Sequence, residues 1–353
     1  MNPPNISVII INYNGGAFLQ DAVNSLGRQT YRDFELILFD NSSADGSVDN
    51  VDLSTVPAAR LVRNPENIGF AAGNNRAAEI ANGRWLVLLN PDTAATPDWL
   101  EKMANAAAAY PDCKTFASAQ LDMNAPDTID GAGDAYLLFG IPWRGGFGRP
   151  ASELPISGWC FSACGATAMY DLPVFREIGG FDERFFCYCE DVDLGFRLQL
   201  EGYDCLFVHD AVVHHAGSGI TGRTSPFSTY HGTRNRIWTY FKNMPLPLLI
   251  LTLPGHIFLT LYILMRNAFT PRTRPMLRGV IDGIAGIGNM RNPSPWKPKT
   301  RRLALAKLVR RMAWNPWRMS ARKVHVRQLK QPQVSAELQR AATRPEGIRS
   351  GPN

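Results

Sequence analysis

Paired cysteines are missing from this chain. The six cysteines, at positions 113, 160, 164, 187, 189 and 205, form no CxxC and no zinc-ligand spacing, which excludes a redox dithiol motif and a zinc ribbon. With 353 residues, 45% hydrophobic and 19% charged, the chain can build a core without disulfides and is not generally disordered. A basic segment ahead of the first apolar run is also missing, since only five residues precede that run. A secretory leader is therefore not expected, and reduced thiols in the cytoplasm are. Each sign of charge is scarce in one part of the chain. Residues 1–265 hold 17 Lys and Arg against 28 Asp and Glu, whereas residues 266–353 hold 20 against 3. An acidic body ahead of a basic tail points to chemistry in front and an anionic surface behind, either membrane or nucleic acid. There is no internal repeat, and one long, mostly apolar stretch, Leu246–Met265.

What is present reads as alternating strands and helices. Ile6–Asn12 is a continuous β-rich run of the kind that is buried on both faces, and Phe34–Phe39, Ala59–Arg63 and Trp85–Leu89 follow it. Ala17–Gln29, Ser47–Val51 and Gly73–Ala81 suit helices between them, and a further helix runs from Asp98 to Tyr110 through an alanine-rich segment. This order predicts a parallel α/β sheet with ligands at the carboxyl ends of its strands. Three of those ends are polar: Asn12-Tyr13-Asn14, Asp40-Asn41-Ser42 and Asn90-Pro91-Asp92. Residues 125–158 are rich in Gly and Pro and read as a long loop region.

A single Asp or Asn at a strand end is ordinarily a turn or cap residue. Three such ends on one sheet suggest a site. Asp40 can accept the imide N–H of a pyrimidine, and Asp92 can ligate a hard divalent cation alongside substrate phosphates. Between them, residues 67–75 carry Gly69 and Gly73, which let backbone approach a ligand, and Asn67, Asn74 and Asn75, which can hydrogen-bond one. That stretch is neither a GxGxxG fingerprint nor a P-loop.

The segments Val8–Asn14, Asp40–Ser47, Asn67–Phe70 and Asn90–Asp92, then Gly165–Met169, Gly179–Phe186, Glu190–Arg197 and His214-His215, resemble in order the motifs of family 2 glycosyltransferases. The resemblance is nearest to the bacterial rhamnosyltransferase branch, which builds cell-wall and surface polysaccharides. It implies a GT-A fold, a Rossmann-like α/β architecture with a mostly parallel sheet flanked by helices, and here a helical basic C-terminal extension. It divides the chain into a transferase domain at 1–243 (nucleotide-sugar half to about 100, acceptor half after it), a membrane-associating helical region at 244–330, and a disordered tail at 331–353. It also implies roles. Asn12, Tyr13, Asn14, Asp40, Asn67, Gly69, Asn74, Asn75, Asn90 and Asp92 would bind the nucleotide sugar. Asp92, with Asn90 in place of the first Asp of the family's DxD motif, and His215, which lies 24 residues after Asp191, would hold Mg²⁺ or Mn²⁺. Asp191 would be the general base and Glu190 its neighbour in orienting the acceptor. Gly165, Arg234 and Arg236 would meet the acceptor.

Physical chemistry agrees with those assignments. A sugar hydroxyl becomes a competent nucleophile as its proton is removed, and a departing diphosphate needs positive charge near it. One base without a clear second nucleophilic carboxylate fits a single displacement with inversion. Of the aromatic residues at 159, 161, 170, 185, 186 and 188, Trp159 follows the Gly/Pro-rich region and is the one expected to face the acceptor. The donor implied is dTDP-L-rhamnose and the acceptor a lipid-linked glycan. Met276–Met290 carries Arg278 and Asp282 and offers no clean return span, so Leu246–Met265 is expected to lie broken or in plane. Residues 301–317 read as a basic amphipathic helix on anionic lipid, the alternative being a helix packed on the body. The expected location is the inner face of the cell membrane, peripherally. A nucleotidylyltransferase would need basic residues in the loop after the first strand, which Asn12–Phe18 lacks. A nucleic-acid-binding role would leave Asp92 and Glu190-Asp191 unexplained, so nucleic acid is not an expected partner.

Overall fold

The computed structural model describes residues 3–217, 225–291 and 303–329. The first half alternates strand and helix: β1 (Ile6–Asn12), α1 (Gly16–Gly27), β2 (Phe34–Asp40), β3 (Ala59–Arg63), α2 (Gly69–Glu79), β4 (Trp85–Leu88), β5 (Thr93–Ala95) and α3 (Trp99–Ala109). The second half holds β6 (Thr115–Asp122), β7 (Ile129–Ala132), β8 (Asp134–Leu137), β9 (Ile141–Arg144), β10 (Gly158–Cys160), β11 (Ala168–Asp171), α4 (Leu172–Glu177), α5 (Glu190–Leu200) and β12 (Cys205–His215). The C-terminal region adds α6 (Pro226–Asn243), α7 (Leu246–Arg266), α8 (Thr273–Ala285), α9 (Ile287–Arg291), α10 (Leu305–Arg311), α11 (Pro316–Ser320) and β13 (Arg327–Gln328).

The main sheet runs β13-β10-β12-β6-β11-β4-β1-β2-β3. Parallel pairing joins β4, β1, β2 and β3, and separately β6 with β12. Antiparallel β11 sits between β4 and β6 and welds the two groups together. The apolar runs explain the layering. Along β1, Ile6, Val8 and Ile10 face a core filled by Leu19 and Val23 of α1 and Trp99 and Met103 of α3. Ile9 and Ile11 face the opposite core, filled by Ala71 and Ala77 of α2, Phe175 of α4 and Leu194 of α5. Burial on both faces is the reason the run shows no polar alternation.

Three expectations need correction. Residues 47–51 form turns instead of a helix, because Asp45 accepts from the Ser47 backbone N–H and Asn50 donates to the Gly46 carbonyl. Residues 125–158 are no long loop. They fold as β7, the β8–β9 hairpin and the start of β10, with glycines at the tight crossings. The segment after residue 303 is joined to the body. Leu308 and Met312 are buried in the cluster of Tyr136, Phe196 and Tyr240, Arg311 pairs with Asp204, and β13 extends the main sheet beside β10. The apolar stripe of α10 therefore faces protein at Leu308 and Met312, while Leu305 stays exposed. Arg301 and Arg302, and the tail expected to be disordered beyond 330, lie outside the described residues.

Candidate active site

One cavity of about 870 Å³ opens where the carboxyl ends of β1, β2 and β4 meet the loop before α5. Tyr13, Asn41, Asn67, Gly69, Asn90 and Asp92 line it from the first half. Asp134, Arg144, Gly165, Glu190, Asp191 and His215 line it from the second. A volume of this order suits a ligand larger than a monosaccharide.

Asp92 follows β4 and is nearly buried, with Oδ1 3.4 Å from His215 Nε2. His215 ends β12, and its Nδ1 lies 2.7 Å from Asp130 Oδ2. Asp130 also takes Arg144 Nη1 at 2.5 Å. Burial opposes a charged His215, but the Asp130 and Asp92 carboxylates outweigh it and move its pKa up. Asp130 as acceptor fixes the Nδ1–H and leaves Nε2 turned toward Asp92, the arrangement of a metal-ligating histidine backed by a carboxylate. The donor set is one hard carboxylate and one imidazole. No group of three or more His, Cys, Asp or Glu among the described residues is placed to hold an ion. The residues fit a cation shared with substrate phosphates, and not one caged by protein alone.

Asp191 opens α5. Its Oδ2 accepts from the Gly165 backbone N–H and its Oδ1 from that of Val192, both at 2.8 Å. Gly165 packs closely: a Cβ there would fall 3.3 Å from the Phe70 ring and 3.4 Å from Asp191 Cβ. Glu190 beside it is buried, and its Oε2 has no hydrogen-bond partner among the described residues. Burial raises both carboxyl pKa values, Glu190 further through the charge of Asp191. The Gly165 and Val192 N–H groups and the Arg144 guanidinium restrain the rise at Asp191. Two adjacent carboxyls are thus pushed apart, and Asp191 is the one that ionises first. Asp134, also in the wall, is pushed well up by burial and then by Asp191.

The loop that delivers this pair is strained. Phe186, Tyr188 and Cys189 have φ of 65°, 72° and 64°, unusual for side chains other than Gly. Fully buried Asn235 of α6 holds it, its Nδ2 donating to the carbonyls of Phe185, Cys187 and Tyr188 at 2.9, 2.8 and 2.7 Å. Gly69 seats the loop from the other side. Its φ is 85°, and a Cβ there would fall 2.5 Å from Phe186. Behind α5, Asp193 pairs with Arg197 and with Lys242, which also pairs with Asp182, so α5 and α6 are cross-linked by buried charge.

Other expected residues lie off the cavity wall. Asn12 is fully buried and donates to Asp40, Ser43 and Ser47. The Asp40 oxygens are taken by Asn12 and by the Ser43 N–H, so they are turned inward in this arrangement. Asn14 accepts from the Ala44 N–H, Asn74 donates to the Phe70 carbonyl, and Asn75 ties α2 to Phe181 and Glu183. Asn74 thus bonds within α2, and the other four brace loops. Trp159 packs edge-on against Tyr110 beside the first core, far from its expected place, while Phe186 and Tyr188 line the cavity. Arg234 stacks 4.1 Å over Trp238 and donates to the Phe185 carbonyl. Arg236 is buried and reaches Thr260. Neither arginine lines the cavity. Asn41, Asp130, Asp134, Arg144 and Asn235 were not among the expected residues. The alternation in Ile141-Pro-Trp-Arg144 was the available signal for Arg144, whose strand partner is Asp134.

Known proteins resemble this chain in sequence and in fold. Residues 7–178 match the family model described as Glycosyl transferase family 2. The N-acetylglucosaminyl-diphospho-decaprenol L-rhamnosyltransferase of Mycobacterium tuberculosis is 29% identical over 247 residues, covering 62% of this chain and 78% of that protein. The structure of S. aureus TarS 1–349 superposes with a TM-score of 0.54 at 16% identity, covering 80% of this chain and 81% of that one. The mannosyltransferase PcManGT of Pyrobaculum calidifontis, in complex with GDP-Man and Mn²⁺, gives 0.52 at 17% identity, covering 90% and 83%. At such identities the two structures speak for the fold.

Proposed function

We propose that this chain, whose residues 7–178 match the family 2 glycosyltransferase model, is an inverting enzyme of that family that moves L-rhamnose from dTDP-L-rhamnose to a hydroxyl of a lipid-linked glycan. The observation that carries the reading is that Asp92 and Asp191, from opposite halves of the fold, line one cavity. The mycobacterial relative, named for a decaprenyl-diphosphate acceptor and a rhamnosyl donor, supports the choice of substrates.

In this mechanism the acceptor oxygen attacks the anomeric carbon as its proton passes to an Asp191 carboxylate oxygen. The bond from that carbon to the diphosphate breaks, and the nucleoside diphosphate leaves with the electron pair. The Gly165 and Val192 N–H groups hold the Asp191 carboxylate in one orientation for the transfer. Glu190, kept protonated by burial beside Asp191, serves as a hydrogen-bond donor to the acceptor sugar. Tyr13, Asn67, Gly69 and Asn90 contact the donor. Asp92 and His215 would hold Mg²⁺ or Mn²⁺, which when bound supplies positive charge to the departing diphosphate. The Mn²⁺ crystallised with the archaeal mannosyltransferase supports this choice. The enzyme works at the cytoplasmic face of the membrane, where a polyprenyl-linked acceptor would reside.

A panel of nucleotide sugars with the purified enzyme tests the donor, and NMR of the product tests the stereochemistry. Consumption of dTDP-L-rhamnose with an inverted linkage is expected. A retained linkage, or use of another donor alone, would reject the corresponding part.

A further inference from the structure

The helix α7 passes the length and apolarity test for a membrane span, yet its contacts argue otherwise. Leu249, Thr252, His256, Leu259 and Thr260 form one buried stripe along it. His256 Nδ1 lies 2.8 Å from the Phe139 carbonyl, and its ring stacks on Tyr240 at 4.0 Å and 4°. Burial and the Arg236 charge push the His256 pKa down to about 4, so the ring sits neutral against the body. From Leu249 to Thr260 the stripe runs roughly 16 Å at the helical rise per residue. A helix fastened to the globular body over that length cannot cross a bilayer without drawing polar strands into hydrocarbon.

Among the described residues, nothing covers the other side of α7. Leu251, Phe258 and Met265 are 73%, 69% and 76% exposed, and Phe269 at the following turn is fully exposed. Ile281 and Ile284 continue the apolar surface on α8. The charge around this surface is mostly positive. Arg266, Arg272, Arg274, Arg278 and Arg291 are all exposed between residues 246 and 291, and the one acid there, Asp282, lies 3.6 Å from Arg278 and accepts from the Tyr230 hydroxyl. Large apolar side chains beside exposed arginines match an anionic bilayer surface. They do not match a second copy of this chain, whose same face would bring arginines against arginines.

This surface also has a fixed relation to the cavity. Ser225, Pro226, Phe227 and Gly232, at the start of α6, line the cavity wall. The same helix packs on α8, where a Cβ on Gly279 or Gly283 would strike Tyr230, Thr233 or Ile237, and where the Trp238 indole donates to the Gly283 carbonyl. One helix is therefore shared between the reaction cavity and the apolar arginine-rimmed face.

We propose that α7 and α8 lie in the plane of an anionic membrane leaflet with Leu251, Phe258, Met265 and Phe269 inserted, and that α6 presents the cavity to a lipid-borne acceptor at that surface. The second clause rests on the proposed function above; the first does not. The test is co-sedimentation of the full chain with vesicles of phosphatidylcholine alone and of phosphatidylcholine with phosphatidylglycerol, alongside the Phe258→Glu/Met265→Glu and Arg272→Glu/Arg274→Glu variants. Both pairs are exposed, so folding is not at stake, and circular dichroism checks it. Binding to the anionic vesicles is expected, weakened by salt and lowered at least about tenfold in each variant. Alkaline carbonate should strip the protein from cell membranes. Absent vesicle binding, binding untouched by both variants, or resistance to carbonate would overturn the proposal, as would a dimer broken by Phe258→Glu/Met265→Glu with no affinity for lipid. Sedimentation needs no turnover, so inactivity toward rhamnosyl donors would leave the membrane face standing, and its failure would leave the chemistry standing.

Discussion

The loop before α5 offers a sharp mechanical test through Asn235. Its single amide nitrogen faces three backbone carbonyls. An NH₂ group has two hydrogens, so two full bonds and a shared third are the most it can make. Asn235→Leu keeps the bulk and removes every donor. A buried acceptor left without a partner costs roughly 1–3 kcal/mol; the Phe185 carbonyl keeps the Cys187 N–H and Arg234 as donors, so that cost falls on the Cys187 carbonyl. The three left-handed residues at 186, 188 and 189 would then be free to relax. Relaxation offsets the lost hydrogen bonding, so the net change in stability should stay within about 3 kcal/mol. The kinetic effect should be larger. A shift of about 1 Å in a positioned catalytic group costs on the order of 100-fold in rate, and Asp191 stands two residues beyond the left-handed Cys189. Urea denaturation reads the first quantity. Steady-state kinetics and calorimetric titration of the nucleotide read the second. The expected pattern is kcat down about 100-fold, with nucleotide affinity changed far less. Asn235→Asp keeps the shape but, when ionised, sets a carboxylate against the same carbonyls. It should lose activity too, increasingly as pH rises. A folded Asn235→Leu or Asn235→Asp enzyme with wild-type kcat at pH 8 would refute the clamp.

Two further outcomes follow from buried charge. Lys242→Met should destabilise the protein by about 1–3 kcal/mol, because the buried Asp182 and Asp193 carboxylates lose a shared charged partner and keep only Arg184 and Arg197; a loss below about 1 kcal/mol in urea denaturation would show that Lys242 does not join α5 to α6. The raised pKa of Asp191 sets the sign of a pH effect. A base must be ionised to act, so kcat/KM should rise with pH through a midpoint above the ordinary Asp value of about 4. Folding linkage runs the other way: the folded state holds the Asp191 and Glu190 protons more tightly than the unfolded chain, so their stabilising contribution is full below about pH 4 and is lost as pH rises through the raised values. An acid limb at or below the ordinary value would deny Asp191 the role of base.

The first half of the fold was legible because its strands are buried on both faces and therefore written as unbroken apolar runs. The ends of β1, β2 and β4, with Asn90 and Asp92, could be read from the same runs. What sequence could not give was depth. Asn12, Asp40 and Asn75 have the chemistry of ligand contacts but are engaged in bracing neighbouring loops, and Asn74 is bonded within its own helix. Asp130, Asp134 and Arg144 were hidden because their short strands are dense in Gly and Pro, which locally signal loops. Trp159 was misplaced for a related reason, since a strand three residues long has too little alternation to tell its two faces apart. The amphipathic stripe at 305–312 was visible, but periodicity says only that a face is apolar, and here protein covers Leu308 and Met312 of it.

The central claim is that Asp92 and Asp191 divide the work within one cavity, the first at the departing diphosphate and the second at the incoming hydroxyl. Parallel measurement of nucleoside-diphosphate affinity, with and without Mg²⁺, and of single-turnover rate in Asp191→Asn and Asp92→Asn tests it most directly. Asp191→Asn should bind the nucleotide as the wild type does while turnover falls at least about 100-fold, and Asp92→Asn should lose the Mg²⁺-dependent part of binding. Near-normal turnover in Asp191→Asn, or Mg²⁺-dependent affinity unchanged in Asp92→Asn, would contradict it.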